Sequence, residues 1–330
     1  EDGRRKGRIR PTDRRSKHEL VVAPSERGGA ESGDLVRAEV LPGRRLGPRQ
    51  ARVLERFGSM EDPRAVSLIS IQSHDIPVQF PPKAREQAEE SGAAPMDDRA
   101  DLRNVSLVTI DGADARDFDD AVFAEKDDNG GWHLIVAIAD VAWYVRGDDP
   151  LDRSARDRGN SVYFPDRVVP MLPEALSNGW CSLVPHEDRP CMACHMWIDG
   201  GGGGTDWRFE RAMMRSHARL TYSQVQAARD GTPDDVTDTL MPRIDALYDA
   251  FSALEKARER RGALDIDMPE RRVFVDDKGE VTGIEPRPRY DSHRLIENFM
   301  IAANVAAARA LEKAGQPCIY RVHEPPQEDK

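Results

Sequence analysis

Apolar positions in this chain change their period along its length, and the changes mark out its elements. Up to residue 57 the apolar runs are short, Glu19-Leu-Val-Val22 and Asp34-Leu-Val-Arg-Ala-Glu-Val40, and Gly, Pro and Arg separate them. Short strands between such turn residues predict a small antiparallel β-barrel or sandwich. Residues 58–100 read as a connector. A short helix is expected from Asp62-Pro-Arg-Ala-Val-Ser-Leu-Ile-Ser-Ile, with proline in its first turn, and a second near Glu86–Glu90, with Pro77, Pro81 and Pro82 breaking regularity between them. From Asp101 onward, Val105–Ile110 and Trp132–Val141 read as buried strands, and Val162–Pro165 as a short extended piece. Met171-Leu-Pro-Glu-Ala-Leu-Ser has the character of a turn and helix. Cys191–Ile198 and Arg208–Met214 predict a hairpin whose turn, Gly200–Gly204, reads as a loose glycine loop.

Three- and four-residue spacing takes over further on. Thr221-Tyr-Ser-Gln224 matches a capping box that opens a helix stopped by Gly231. Ile244, Leu247, Tyr248, Phe251 and Leu254 share one face of a helix ending at Gly262. A third helix is expected from about Asp291 to Ala314, carrying Leu295, Ile296, Phe299 and Met300 on one stripe. A β segment, Arg272-Val-Phe-Val and Val281-Thr-Gly-Ile284, lies between these helices. The fold class is therefore α+β, a mixed α/β arrangement rather than a regular alternation. It divides into a partial oligonucleotide-binding barrel over residues 1–57, a linker over 58–100 and a second domain over 101–330.

Composition changes the picture only in part. With 39% hydrophobic and 32% charged residues over 330 positions, the chain can bury cores and stay soluble. No apolar run approaches the ~20 residues of a membrane helix and nothing resembles a signal peptide, so a cytoplasmic location is expected. Four cysteines do not make a disulfide framework at this size. Cys191-Met-Ala-Cys194-His195 raises zinc or redox chemistry, but it has no second pair at finger spacing, and the alternating pattern points to buried structural cysteines. The net charge of −11 argues against nucleic acid until it is divided: residues 1–50 hold 13 Lys and Arg against 8 Asp and Glu. A basic arm beside an acidic body suits a protein that guides a polyanion to a metal-dependent site. The chain opens at Glu1 without an initiator Met and closes on Pro-Pro-Gln-Glu-Asp-Lys, so a piece of a longer protein is expected.

The chemistry concentrates in Thr109-Ile-Asp-Gly-Ala-Asp-Ala-Arg-Asp-Phe-Asp-Asp-Ala-Val122. Asp111, Asp117, Asp119 and Asp120 fall within ten residues, and Asp114 adds a fifth carboxylate. Such groups repel one another unless a cation sits among them, and oxygen donors beside a buried strand suit Mg²⁺. An EF-hand is excluded, because positions six and twelve counted from Asp111 are Arg116 and Val122. Phosphodiester hydrolysis needs an activated water and a stabilised leaving oxygen, which two Mg²⁺ ions held by several carboxylates provide. The glycine run lacks the Lys-Ser/Thr of a phosphate loop.

This aspartate run resembles the signature of the RNB family of exoribonucleases, the group of ribonuclease II and ribonuclease R. Matching stretches follow in order: Val136-Ala-Ile-Ala-Asp-Val141, Ser161-Val-Tyr-Phe-Pro165, Pro170-Met-Leu-Pro-Glu174, Leu176-Ser-Asn-Gly-Trp-Cys-Ser-Leu183, Ser216-His-Ala-Arg-Leu-Thr-Tyr222 and Leu295-Ile-Glu-Asn-Phe-Met-Ile-Ala-Ala-Asn304. The resemblance covers about residues 101–323, and the preceding segment is similar to the family's second cold-shock domain. It implies processive 3′→5′ hydrolysis of single-stranded RNA to nucleoside 5′-monophosphates with Mg²⁺. By position, Asp111 and Asp120 resemble direct metal ligands, Asp119 the carboxylate most critical for chemistry and Asp117 a supporting one. All four belong to the implied metal set.

Tyr163 resembles the aromatic that stacks on the terminal base, and Tyr222 and Glu297 resemble residues that contact RNA near its 3′ end. From the residues alone, the core reading is preferred for both tyrosines and a solvated glutamate for Glu297. The resemblance further implies a catalytic arginine in a motif beyond this chain. The stretch Arg260–Glu270 has no aromatic where relatives often carry one. An active full-length nuclease is therefore expected, and a weakly active or inactive piece. The rival is a catalytically inactive RNA-binding regulator on the same fold, whose mark would be loss of one of the four aspartates.

Overall fold

The computed structural model describes residues 6–12, 18–42, 48–263, 271–276, 280–286, 288–320 and 322. The order of elements is β1 (Gly7–Ile9), β2 (Leu20–Val22), β3 (Asp34–Val40), β4 (Gln50–Ser59), α1 (Ala65–Ser73), α2 (Pro82–Glu89), β5 (Ala100–Leu102), β6 (Val108–Asp111), β7 (Asp120–Lys126), β8 (Trp132–Ala139), α3 (Val141–Tyr144) and α4 (Pro150–Arg158). Then follow β9 (Val162–Tyr163), β10 (Val168–Val169), a π-helical turn (Ala175–Trp180), β11 (Asp188–Ile198), β12 (Gly204–Arg215), β13 (Ala218–Thr221), α5 (Tyr222–Arg229), α6 (Asp235–Arg260), β14 (Arg271–Val275), β15 (Val281–Pro286) and α7 (Asp291–Lys313). They form two compact units.

The first unit comprises Glu1–Phe80, Arg158–Met171 and Pro269–Arg287. Its sheet runs β1-β2-β4-β3. Alternation along these strands sends Val22, Ala51 and Val53 inward, with Ile9, Leu20, Val36 and Ala38 packed against them. Tyr163 lies on the two-residue strand β9, paired with β10, and is 67% exposed.

The second unit comprises Pro81–Asp157, Leu172–Met268 and Pro288–Lys330, and its seven-stranded sheet is ordered β13-β6-β7-β8-β11-β12-β5. The interior pairings are antiparallel, while β13 runs parallel to β6 and β5 parallel to β12. Every second residue of β8 and β11 (Trp132, Leu134 and Val136; Cys194, Met196 and Ile198) joins one core. Ile244, Leu247, Tyr248 and Phe251 of α6 complete it with Leu295, Ile296 and Phe299 of α7, the faces that their spacing predicts. The expected capping box is formed: Thr221 Oγ1 accepts from the Gln224 amide at 3.2 Å, and the Thr221 amide donates to Gln224 Oε1 at 2.9 Å. No helix of the described residues is long and apolar enough to cross a membrane.

The structure departs from the sequence reading at several element ends. The strand expected from Val105 begins at Val108. The strand expected to reach Val141 stops at Ala139, because buried Asp140 turns the chain into α3 and pairs with buried Arg99 at 2.8 Å. Both strands of the glycine hairpin are longer than expected. Its turn is not loose. The Asp199 carboxylate accepts from the amides of Gly201 and Gly203, and Arg260 of α6 donates to the Gly201 carbonyl at 2.6 Å.

Gly202 has φ +80°, and a Cβ there would lie 2.0 Å from the carbonyl oxygen of Ala253 in α6. Both partners are backbone, so neither can rotate away. Gly202→Ala is expected to destabilise the second unit by roughly 2–4 kcal/mol, read as a lower thermal midpoint in far-ultraviolet circular dichroism. An unchanged midpoint would mean the turn does not sit on the helix.

Candidate active site

The aspartate run occupies the loop from the last residue of β6, Asp111, to the first of β7, Asp120. A strand must satisfy its backbone and point alternate side chains into the core, which leaves only its polar ends free to carry chemistry. Val108 and Ile110 on β6 and Val122 and Ala124 on β7 anchor the loop in the core. The loop is braced at its root. Phe118 is buried, its amide donates to the buried Ser182 Oγ at 3.0 Å, and its carbonyl accepts from the Leu183 amide at 2.7 Å. The carbonyl of Asp119 accepts from Ala139 at 2.9 Å. Asp117 and Asp119 therefore flank a fixed residue.

The electrostatics follow from this crowding. Burial raises the carboxyl of Asp120 to about 7, with Asp119 and Asp111 adding repulsion. Its Oδ2 is buried and has no hydrogen-bond partner. Asp111 is raised first by burial and then by Asp119, Asp117 and Asp114, while a 2.6 Å bond from the Gly112 amide pulls the other way. Asp119 keeps exposed surface, yet the dense protein around it is the main cause of a raised carboxyl, opposed by its own backbone amide and reinforced by Asp117. Asp111, Asp119 and Asp120 thus share one electrostatic neighbourhood that disfavours ionisation of all three at once.

Among the described residues, no three His, Cys, Asp or Glu side chains stand close enough together to hold a metal ion by themselves. Mg²⁺ does not need such a cage, since it keeps several waters and uses one or two carboxylates plus oxygens of a phosphate substrate. Hard oxygen donors, mutual repulsion and an unpartnered buried oxygen on Asp120 fit that ion. Asp111, Asp117, Asp119 and Asp120 are the side chains that could hold it.

The other expected residues are placed less uniformly. The pairing of β13 with β6 puts Thr221 opposite Asp111, so Tyr222 opens α5 one residue beyond the aspartate strand. The ring of His293 stacks on Tyr222 at 4.0 Å, and Ser292 Oγ donates to the Tyr222 carbonyl at 2.8 Å. Glu297 is exposed, one turn along α7 from His293, and accepts from Arg289 at 2.9 Å. Tyr163 belongs to the first unit, the aspartates to the second. Residues 264–270 of the aromatic-poor stretch lie outside the described residues. Cys191 and Cys194 are buried in β11, and burial pushes both thiols up to about 12, the setting of the structural cysteines expected.

Sequence reasoning assigned no role to Ser182, although it lies in a matched stretch, or to Arg219. The guanidinium of Arg219 reaches back to the loop: Nη2 donates to the carbonyls of Ala113 and Ala115 at 3.2 and 3.1 Å. Asp140, quoted within Val136–Val141, is a buried ion-pair partner of Arg99 rather than part of the cluster.

Comparison with known proteins agrees with this architecture. The family model described as RNB domain matches residues 99–330, and the one described as Cold shock domain matches residues 9–81. Ribonuclease R of Vibrio parahaemolyticus is 42% identical over 325 residues, 96% of this chain and 39% of the relative. Ribonuclease R of Escherichia coli strain K12 is 42% identical over 328 residues, 97% of this chain and 40% of the relative. The chain thus spans about two fifths of the length of these relatives.

Among solved structures, Mycoplasma genitalium RNase R in complex with ribose methylated single-stranded RNA superposes with a TM-score of 0.87 at 23% identity, over 98% of this chain and 53% of that one. Yeast Ssd1, described as a pseudonuclease, gives 0.64 at 12% identity, over 89% of this chain and 38% of that one. At these identities both likenesses speak for the fold alone.

Proposed function

The chain belongs to the RNB family, and we propose that the protein containing it is a 3′→5′ exoribonuclease that hydrolyses single-stranded RNA processively to nucleoside 5′-monophosphates with Mg²⁺. The observation that carries this reading is the aspartate loop itself: a braced turn with four neighbouring carboxylates and an unpartnered buried oxygen on Asp120. The relatives named ribonuclease R support the activity.

Mg²⁺, when bound, supplies positive charge that lowers the pKa of a water and stabilises the leaving oxygen. The protein's own groups do the rest. Asp111 and Asp120, at the facing ends of two strands, hold the ion and fix where a phosphate can rest. Asp119, solvent-accessible beside them, orients the attacking water and takes up its proton, a role that suits a raised carboxyl. Asp117 supports that geometry across Phe118. Tyr222, backed by His293, and Glu297 hold the last nucleotides near the 3′ end, and hydrogen bonds to the ribose 2′-hydroxyl select RNA over DNA. The exposed ring of Tyr163 is a stacking surface indifferent to base identity.

A second reading is an RNA-binding regulator without catalysis on the same fold. Retention of Asp111, Asp117, Asp119 and Asp120 speaks against it. The test is incubation of the full-length protein with 5′-labelled oligoadenylate, with Mg²⁺ or with EDTA. The expected result is a ladder shortening from the 3′ end, ending in a short stub, in Mg²⁺ alone. Tight binding without cleavage in either condition would favour the regulator.

A further inference from the structure

We propose that Arg219 is a positioning residue: it clamps the outer arc of the aspartate loop and so sets where Asp117 and Asp119 stand. The inference rests on the nuclease reading for its functional consequence, while its structural half stands alone.

The loop has a weak point that the site geometry does not otherwise explain. Its root is held at Phe118 by Ser182 and Leu183, and its first residues are held by the Gly112 amide on Asp111 and a turn from the Ala115 amide to the Gly112 carbonyl at 3.1 Å. The outer arc, residues 113–117, carries the carboxylates of Asp114 and Asp117 with one cation of its own, Arg116, in a neighbourhood already crowded with negative charge. Repulsion of this kind pushes a loop outward unless something draws it back.

Arg219 lies where it can do that. It is on the edge strand β13, in register with Thr109 of β6, two residues before the start of the loop. One guanidinium nitrogen donates to both the Ala113 and Ala115 carbonyls, and the same group lies 4.5 Å from the centroid of the Phe118 ring. A single side chain thus ties the outer arc to the ring that anchors the root. It also adds a fixed positive charge to the acidic neighbourhood. A planar guanidinium can hold two carbonyls from one nitrogen and still lie over an aromatic face. A lysine ammonium has the charge but not the plane. Arg219 is exposed, so it contributes little to the core, and its removal should leave the fold standing.

The test uses the full-length protein with Arg219→Ala and Arg219→Lys. Backbone hydrogen exchange of residues 112–117, measured without RNA or metal, is expected to speed up in both variants while the thermal midpoint stays close to that of the parent. With RNA and Mg²⁺, kcat is expected to fall roughly 10–100-fold and half-saturating Mg²⁺ to rise, with KM for RNA little changed. Lysine should not rescue.

Unchanged exchange in the loop would overturn the proposal. So would a raised KM and a shallower salt dependence with kcat and the Mg²⁺ response intact, the pattern of a residue that contacts phosphate directly. If the parent protein degrades no RNA at all, the nuclease reading fails, and the exchange comparison still decides whether the clamp exists.

Discussion

Replacing Asp119 by Asn in the full-length protein should slow Mg²⁺-dependent RNA shortening severely while leaving RNA binding intact. The substitution keeps shape and removes one charge and one proton acceptor. Asp119 is the solvent-accessible carboxylate of the cluster, raised mainly by its surroundings and held between the Phe118 anchor and the bond from Ala139. An amide there can still accept a hydrogen bond but cannot take up a proton from water. Loss of a group used only in the transition state lowers kcat, not affinity. The expected fall is roughly 10³-fold, about 4 kcal/mol on the barrier. Affinity should hold or tighten, because a negative charge facing the phosphates is gone. Single-turnover degradation and equilibrium binding, measured together, check both halves. Wild-type turnover in the variant would remove Asp119 from the chemistry.

Asp120→Asn should set stability against activity: the metal-free chain becomes more stable as the site is weakened. The carboxyl of Asp120 sits at about 7 in the folded chain, raised by burial and by Asp119 and Asp111, against 3.8 for an unperturbed aspartate. A carboxyl whose folded pKa is raised contributes stability below its unfolded pKa and loses it as pH climbs through the folded value. In EDTA the cost is therefore absent near pH 4, grows between pH 4 and 7 and is complete above pH 7. It amounts to at most about 4 kcal/mol. The neutral amide carries no such cost, though it must still satisfy a buried polar atom. Wild type and variant should have similar thermal midpoints at pH 4.5. By pH 8 the variant should lead by several degrees, and Mg²⁺ should close the gap by stabilising only the wild type. A difference that does not vary with pH would show that the Asp120 carboxyl carries no burden of charge.

The parts of this molecule that were legible in its sequence are those whose cause is local. The unbroken apolar run Leu134–Ala139 and the three- and four-residue spacing of Leu295, Ile296 and Phe299 are properties of a buried strand and a helix by themselves, and both contribute to the core as expected. The capping box at Thr221 is likewise complete within four residues. The aspartate cluster was legible because its members are neighbours in the chain.

What braces it was not. Ser182 lies 64 positions from Phe118, and Arg219 more than 100 from the carbonyls it holds. Nothing in a serine or an arginine announces such a partner. The glycine hairpin failed for the same reason, since glycine reads as freedom when its neighbours are considered and as close approach only once Ala253 is placed against Gly202. Tyr222 and Glu297 were named from resemblance. The structure adds the stacked ring of His293, which joins α7 to the start of α5.

The parallel pairing of β13 with β6 has a consequence for how such a protein is made. Thr221 lies opposite Asp111, 110 residues later in the chain. A ribosome adding ~5–20 residues per second takes roughly 5–20 s to cover that distance. Until then the strand that carries Arg219 and flanks the aspartates does not exist. All four aspartates are therefore made well before the arginine that grips their loop.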